Sequence, residues 1–312
     1  LDSGQFQQAH RMHAPPAQTL SANGIELCYE DRPGPRPDSP VLLLIMGLGC
    51  QMLHWPEDVV AALNQSFRVI RFDNRDTGHS TWMEGVPAPR IGAWDRVRWF
   101  FGARLPSPYT LDDLAADALA LLDGLGIEQA HVVGASMGGM IAQILAAREP
   151  QRVLSLTLIM TTSGKRTKGL PEPATLKTVT TRPAGRDFEH VLSASMRSWQ
   201  ALQGAEYPTP MEEVERRLRA ILERAQNPAG FLRQYAAIMN QPDRSPLLRT
   251  IRCPTLVLHG EDDKLVNVSG GRHLAKVIPG AKLITIPGWG HDFPPQLTPR
   301  LVGHISEHVQ AA

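Results

Sequence analysis

Cysteine is scarce in this chain. Its 312 residues hold three, Cys28, Cys50 and Cys253, far apart and without a C-x-x-C or Cys/His zinc spacing. An odd, scattered set argues against a disulfide framework and a structural zinc site, so no metal is expected. An excess of one charge is also missing. With 32 basic and 31 acidic residues the net charge is +1, and nothing in that balance suggests nucleic acid or an anionic membrane as partner. No apolar run approaches the ~18 residues of a membrane span. The longest, such as Val41 to Met46 and Leu156 to Met160, are strand-length, and stable membrane insertion is not expected. No internal repeat is evident. The chain opens on Leu1 rather than Met. A cytoplasmic setting is expected, with a cleaved signal peptide left open. Residues 1–18 are polar, contain Pro15-Pro16 and read as an N-terminal tail.

What is present is ample core material, 42% hydrophobic residues, over a length that suits one large α/β domain with an insertion. Ile25 to Glu30 alternates with period two, as an outer strand does. Val41–Ile45, Phe67–Phe72, Ala130–Val133, Val153–Met160, Thr255–Leu258 and Lys282–Ile286 are short apolar runs. Helical patterns separate them, at Pro56–Asn64, at Leu111–Leu125 behind a Thr110 cap, and at Thr298–Val309. The alternation predicts an α/β fold with a mostly parallel central sheet flanked by helices. From 163 to 250 the rhythm breaks. Prolines, charges and helical patterns, among them Glu212–Gln226 and Ala229–Asn240, fill this segment. Residues 19–162 and 251–312 are therefore expected to form one core, and 163–250 a helical cap inserted between two strands.

Gly134-Ala135-Ser136-Met137-Gly138 is a G-x-S-x-G pentapeptide between an apolar run and a helical segment. A sharp strand-to-helix turn lifts a serine hydroxyl clear of the sheet and sets it near a helix N-terminus, where free N–H groups favour negative charge. The flanking glycines fit a place where strand and helix approach too closely for a Cβ. A serine nucleophile needs a base, the base an orienting acid, and the developing oxyanion needs donors. His291 is the expected base. It follows the last strand in Pro287-Gly288-Trp289-Gly290-His291-Asp292. The acid is expected after the Leu256–Leu258 strand, where Glu261, Asp262 and Asp263 stand in a row; Asp263 is preferred and Asp262 is the alternative. Residues 161–171, the other loop able to supply an acid, contain no carboxylate. The oxyanion donors are expected to be the backbone N–H groups of Met137 and, in the Met46-Gly47-Leu48-Gly49 turn, Leu48. Asp73 and Arg75, in a charged loop after a strand, are expected to hydrogen-bond that loop into place near the oxyanion segment. The stretch from Arg90 to Arg104 mixes Trp94, Trp99, Phe100 and Phe101 with arginines. A membrane-contact helix is one reading; a helix packed on the body with its arginines outside is preferred.

With these residues in hand, the chain resembles the α/β-hydrolase fold superfamily from about Thr19 to Val309. The order Ser136, Asp263, His291 is that family's serine–acid–histidine order. Gly47 to Met52, Asp73 to Ser80 and Ser136 to Gln143 are similar to a narrower group of bacterial carboxylesterases that includes the aclacinomycin methylesterase. Two positions depart from the family pattern: Met46 stands where a histidine is usual, and Asp76 where glycine is frequent. Serine at 136 argues against the family's dehalogenases and epoxide hydrolases, which carry aspartate there. The resemblance implies a cofactor-independent carboxylesterase acting on a small-molecule ester, with a homodimer left open. A carbon–carbon bond hydrolase, thioesterase, lactonase or perhydrolase would share the machinery. A non-catalytic ligand-binding module is the alternative of a different class.

Overall fold

The computed structural model describes residues 15–312. Most of the expected tail, residues 1–14, lies outside the described residues, and its last residue, Gln18, already belongs to a strand. In chain order the elements are β1 (Gln18–Ala22), β2 (Ile25–Arg32), β3 (Val41–Ile45), α1 (Glu57–Asn64), β4 (Arg68–Phe72), α2 (Ala93–Phe100), α3 (Leu111–Gly124), β5 (Ala130–Ala135), α4 (Met137–Arg148) and β6 (Val153–Ile159). Then come α5 (Pro173–Thr180), α6 (Phe188–Leu202), α7 (Met211–Arg224), α8 (Pro228–Asn240), α9 (Ser245–Leu248), β7 (Thr255–Gly260), α10 (Ser269–Val277), β8 (Lys282–Ile286) and α11 (Thr298–Gln310).

The eight strands form one sheet in the order β1-β2-β4-β3-β5-β6-β7-β8. β1 and β2 pair antiparallel, as do β2 and β4, and every other neighbour is parallel. The β1–β2 hairpin turns through Asn23 and Gly24, both at positive φ (50° and 76°), the Asn-Gly chemistry of a tight hairpin. The sequence reading passed over β1 because it is polar on its exposed face. Side chains alternate across the sheet. Leu43 and Ile45 of β3 face a core shared with α3, α4 and α10, whereas Leu42 and Leu44 face a second core with α1 and α11. All four are fully buried, worth about 1.5–3 kcal/mol each by removal from water.

After β3 the chain steps to β4 on one side, then returns to β5 on the other. The carboxyl ends of β3 and β5 therefore diverge around a crevice, the place where open α/β sheets put ligands. Helices α5 to α9 occupy the stretch between β6 and β7. A small apolar cluster of Leu192, Val214 and Leu218, extended by Met196, Trp199 and Met211, joins α6 to α7.

One expectation holds only in part. The arginines of α2, Arg96 and Arg98, are outside as expected, and Trp99 faces the body with Asp95, both half-buried. The other aromatics are not packed on the body: Trp94 is 71% exposed, Phe100 50% and Phe101, at the C-terminal end, 83%. Asp95 caps the helix through the Gly92 N–H at 2.9 Å.

Candidate active site

Ser136 stands between β5 and α4 with φ 54° and ψ −119°, a conformation that a side chain tolerates only under constraint. The constraint is visible. The Ser136 N–H donates to the Ile159 carbonyl at 3.0 Å, and the Ser136 carbonyl accepts from Thr161 Oγ1 at 2.6 Å. A Cβ on Gly134 would collide with the Gly138 backbone, and one on Gly138 with the Ile45 carbonyl. Both glycines of the pentapeptide are thus required by close approach of the backbones.

His291 reaches Ser136 from the far side of the sheet edge. Its Nε2 lies 3.1 Å from Ser136 Oγ, and its Nδ1 lies 2.7 Å from Asp263 Oδ2. The Asp263 contact assigns the Nδ1–H tautomer, leaving Nε2 to accept the serine proton. The loop holding His291 is itself held: its N–H donates to the Leu202 carbonyl at the end of α6 at 2.7 Å. A Cβ on Gly290 would strike that same segment.

Asp263 is fully buried. Its Oδ1 accepts from the Leu265 and Val266 N–H groups at 2.9 and 2.7 Å. Burial alone would raise its pKa, but His291 and His259 facing it hold it down to about 2, so it is an anion at any working pH. Asp262, the alternative, makes no hydrogen bond to His291 among the described residues; its N–H donates to the Trp289 carbonyl at 3.1 Å. His259 was not singled out as a site residue. Its Nε2 lies 2.7 Å from the Val266 carbonyl and 3.4 Å from Asp263 Oδ2, so it braces the acid's loop from beneath.

The turn after β3 lies against the serine. A Cβ on Gly47 would stand 3.1 Å from Ser136 Cβ and 3.5 Å from its Oγ. Among the described residues no acceptor takes the Leu48 N–H, and Met137, the first residue of α4, has no intrahelical acceptor for its own. These two N–H groups thus have no hydrogen-bond acceptor among the described residues. The turn is tied from both flanks. Asn74 Nδ2 donates to the Met46 carbonyl at 3.0 Å. Gln234 of α8, fully buried, accepts from the Gly49 N–H at 2.8 Å and donates to the Arg75 carbonyl at 2.7 Å. Gln234 carries no motif, which is why sequence reading passed over it. Cys50, next along the turn, has its thiol pushed up to about 12 by burial, so it offers no thiolate nucleophile.

Asp73 behaves as expected, accepting from the Met52 N–H at 2.7 Å, the His79 N–H at 3.0 Å and Arg224 at 2.6 Å. Arg75 likewise hydrogen-bonds its loop into place, through a fork onto Asp117 of α3 with both bonds 2.6 Å. Asp76, at φ 69°, is fully buried and pairs with Arg233 of α8 at 2.7 Å. A positive-φ aspartate survives there because Tyr109, Met83 and Arg233 all donate to it. Met196, Trp199 and Met211 of the stretch between β6 and β7 pack between α6 and α7. Phe231 instead presses on Gly49, where a Cβ would stand 2.6 Å from its ring.

The family described as alpha/beta hydrolase fold matches residues 40–295. Rhodomycin D methylesterase DauP of Streptomyces sp. (strain C5) is 31% identical, over 95% of this chain and 99% of that protein. DnrP of Streptomyces peucetius, also a rhodomycin D methylesterase, is 30% identical over the same shares. Among solved structures, the enol-lactonase from Burkholderia xenovorans LB400 superposes with a TM-score of 0.72 at 26% identity. That match covers 94% of this chain and all of that one.

Proposed function

The chain belongs to the α/β-hydrolase fold family, and from that premise we propose that it is a serine hydrolase cleaving carboxylic esters through an acyl-enzyme. The observation that carries this reading is the hydrogen-bonded run from Ser136 through His291 to Asp263. Ser136 Oγ attacks the ester carbonyl carbon while His291 Nε2 takes its proton. The Leu48 and Met137 N–H groups receive the oxyanion. Asp263 orients the imidazole and stabilises its charged form. Collapse of the tetrahedral adduct breaks the carbon–oxygen bond to the alcohol, which leaves with the proton from His291. Water then gives a proton to His291, attacks the acyl carbon and releases the acid, and Ser136 recovers its proton. No cofactor enters these steps.

Residues 163–250 act in this reading as a cap over the site, with Phe231 as an apolar wall beside the oxyanion turn. Small to medium apolar esters fit such a wall. The two methylesterase relatives favour a methyl ester of a larger acid, and the enol-lactonase likeness keeps a cyclic ester as a second reading. Hydrolysis of p-nitrophenyl esters of graded acyl length, with methyl esters and lactones beside them, tests it. Ser136→Ala is expected to lower kcat by about a millionfold with an unchanged fold, and a fluorophosphonate is expected to label wild type at Ser136 alone. An active Ser136→Ala protein refutes the mechanism.

A further inference from the structure

We propose that α2 is a docking helix for an anionic lipid surface. Among the described residues it is the only α-helix that buries no residue. Six large apolar side chains are exposed among those residues, and four of them, Trp94, Val97, Phe100 and Phe101, fall within eight positions here. Trp94, Val97 and Phe101 follow i, i+3, i+7 spacing and form one stripe, with Phe100 at its edge. Phe100 and Phe101 pack edge to face, ring centroids 5.7 Å apart, which keeps both rings outside.

The charges are arranged to match. Around a helix, Arg98 falls on one edge of the stripe and Arg96 on the other. Arg90 and Arg104 lie at the two ends of the segment. None of these four has a carboxylate within ion-pair distance among the described residues. The one acid of the helix, Asp95, is engaged at the N-cap. Arg166 stacks over Trp99, 5.4 Å from its ring centroid, and is flanked by Lys165 and Lys168. The balanced charge of the whole chain thus hides a local basic surface around an aromatic stripe. Aromatic rings enter the headgroup boundary while arginines meet lipid phosphates, the pattern of an interfacial helix. A second copy of this chain is a poor occupant, because a two-fold contact would set the same unpaired arginines against one another with no acid to meet them.

Flotation of the full chain with vesicles of phosphatidylglycerol and phosphatidylcholine, against pure phosphatidylcholine vesicles, tests this. Wild type is expected to float with the anionic vesicles, to be released by salt, and to shift its tryptophan emission to the blue. Arg96→Gln with Arg98→Gln is expected to weaken binding by about twenty-five-fold, near fivefold per arginine at the surface. Trp94→Ser with Phe101→Ser is expected to abolish the emission shift. Both pairs should retain wild-type melting and hydrolysis of a soluble ester, since no buried group is touched. Failure of wild type to float, equal binding to both vesicles, or variants that bind like wild type would each overturn the proposal. So would a dimer in light scattering that Trp94→Ser with Phe101→Ser dissociates, which would make α2 a self-association surface.

Discussion

α7 and α2 are both short helices that mix arginines with apolar residues, yet the protein treats them in opposite ways. In α7, Val214, Leu218 and Ile221 are buried, and its arginines find acids. Arg216 and Arg217 pair with Glu213, Arg219 with Glu215 and Glu189, and Arg224 with the buried Asp73. In α2 the apolar stripe faces outward and the arginines go unpaired. Amphipathicity alone does not say which face the protein covers. Acids one turn earlier that pair with the arginines, and a partner helix such as α6, are what fold α7 inward; in α2 the one acid, Asp95, is taken up at the N-cap instead. The difference matters for the site, because Arg224 and Gln234 carry the insertion's grip to the loops that flank Ser136.

The sharpest way to break this contrast is at Arg224. Arg224→Met leaves Asp73 buried and short of its cationic partner, and removes the donor to Gln51 at 2.7 Å. A stability loss of about 3–5 kcal/mol is expected in urea unfolding, together with lower kcat from a loosened turn after β3. Asp292 is a second test, because it is a poorly paired carboxylate near Arg217 of α7. It is 6% exposed with no hydrogen bond to either carboxylate oxygen, and Arg217 Nη1 is likewise buried without an acceptor. Burial pushes the Asp292 carboxyl up to about 7, against the opposing pull of His291 and Arg217. The folded protein then holds a proton that the unfolded chain has lost above about pH 4, so stability falls as pH rises through that window. Asp292→Asn is expected to raise the unfolding free energy in urea above neutral pH, by about 1–3 kcal/mol, and to leave it unchanged near pH 4. A loss at high pH would instead mean that Arg217 holds Asp292 as an anion. At the small end, Arg216→Ala in α7 and Arg96→Gln in α2 should each change stability by no more than about 0.5 kcal/mol. They should separate only in vesicle binding, where Arg216→Ala is silent.

Much of the frame was legible in the residues. The β3, β5 and β7 strands are apolar runs because they are buried on both faces, and that signal survives without tertiary information. The hairpin strand β1 was not legible, since one of its faces is in water and its residues are mostly polar. The short helices α9 and α10 lack a long periodic stretch. At the site, the pentapeptide around Ser136 and the glycine turn before His291 stood out because backbone crowding limits which residues fit there. His259, Gln234 and Asp292 did not stand out. Each acts through a partner distant in sequence or through burial, and neither is written locally.

By itself the sequence determined the alternation of strands and helices, the elbow at Ser136, the order of serine, acid and histidine, and the absence of any membrane-length apolar run. Those follow from short-range sterics and from hydrophobic period, which are properties of neighbouring residues. Only the tertiary structure decided that Asp263 rather than Asp262 faces His291, that α8 reaches across to hold the turn after β3, and that Trp94, Phe100 and Phe101 look outward. These depend on which surfaces meet, and a helix with one apolar face carries the same pattern whether that face is covered by protein or left open.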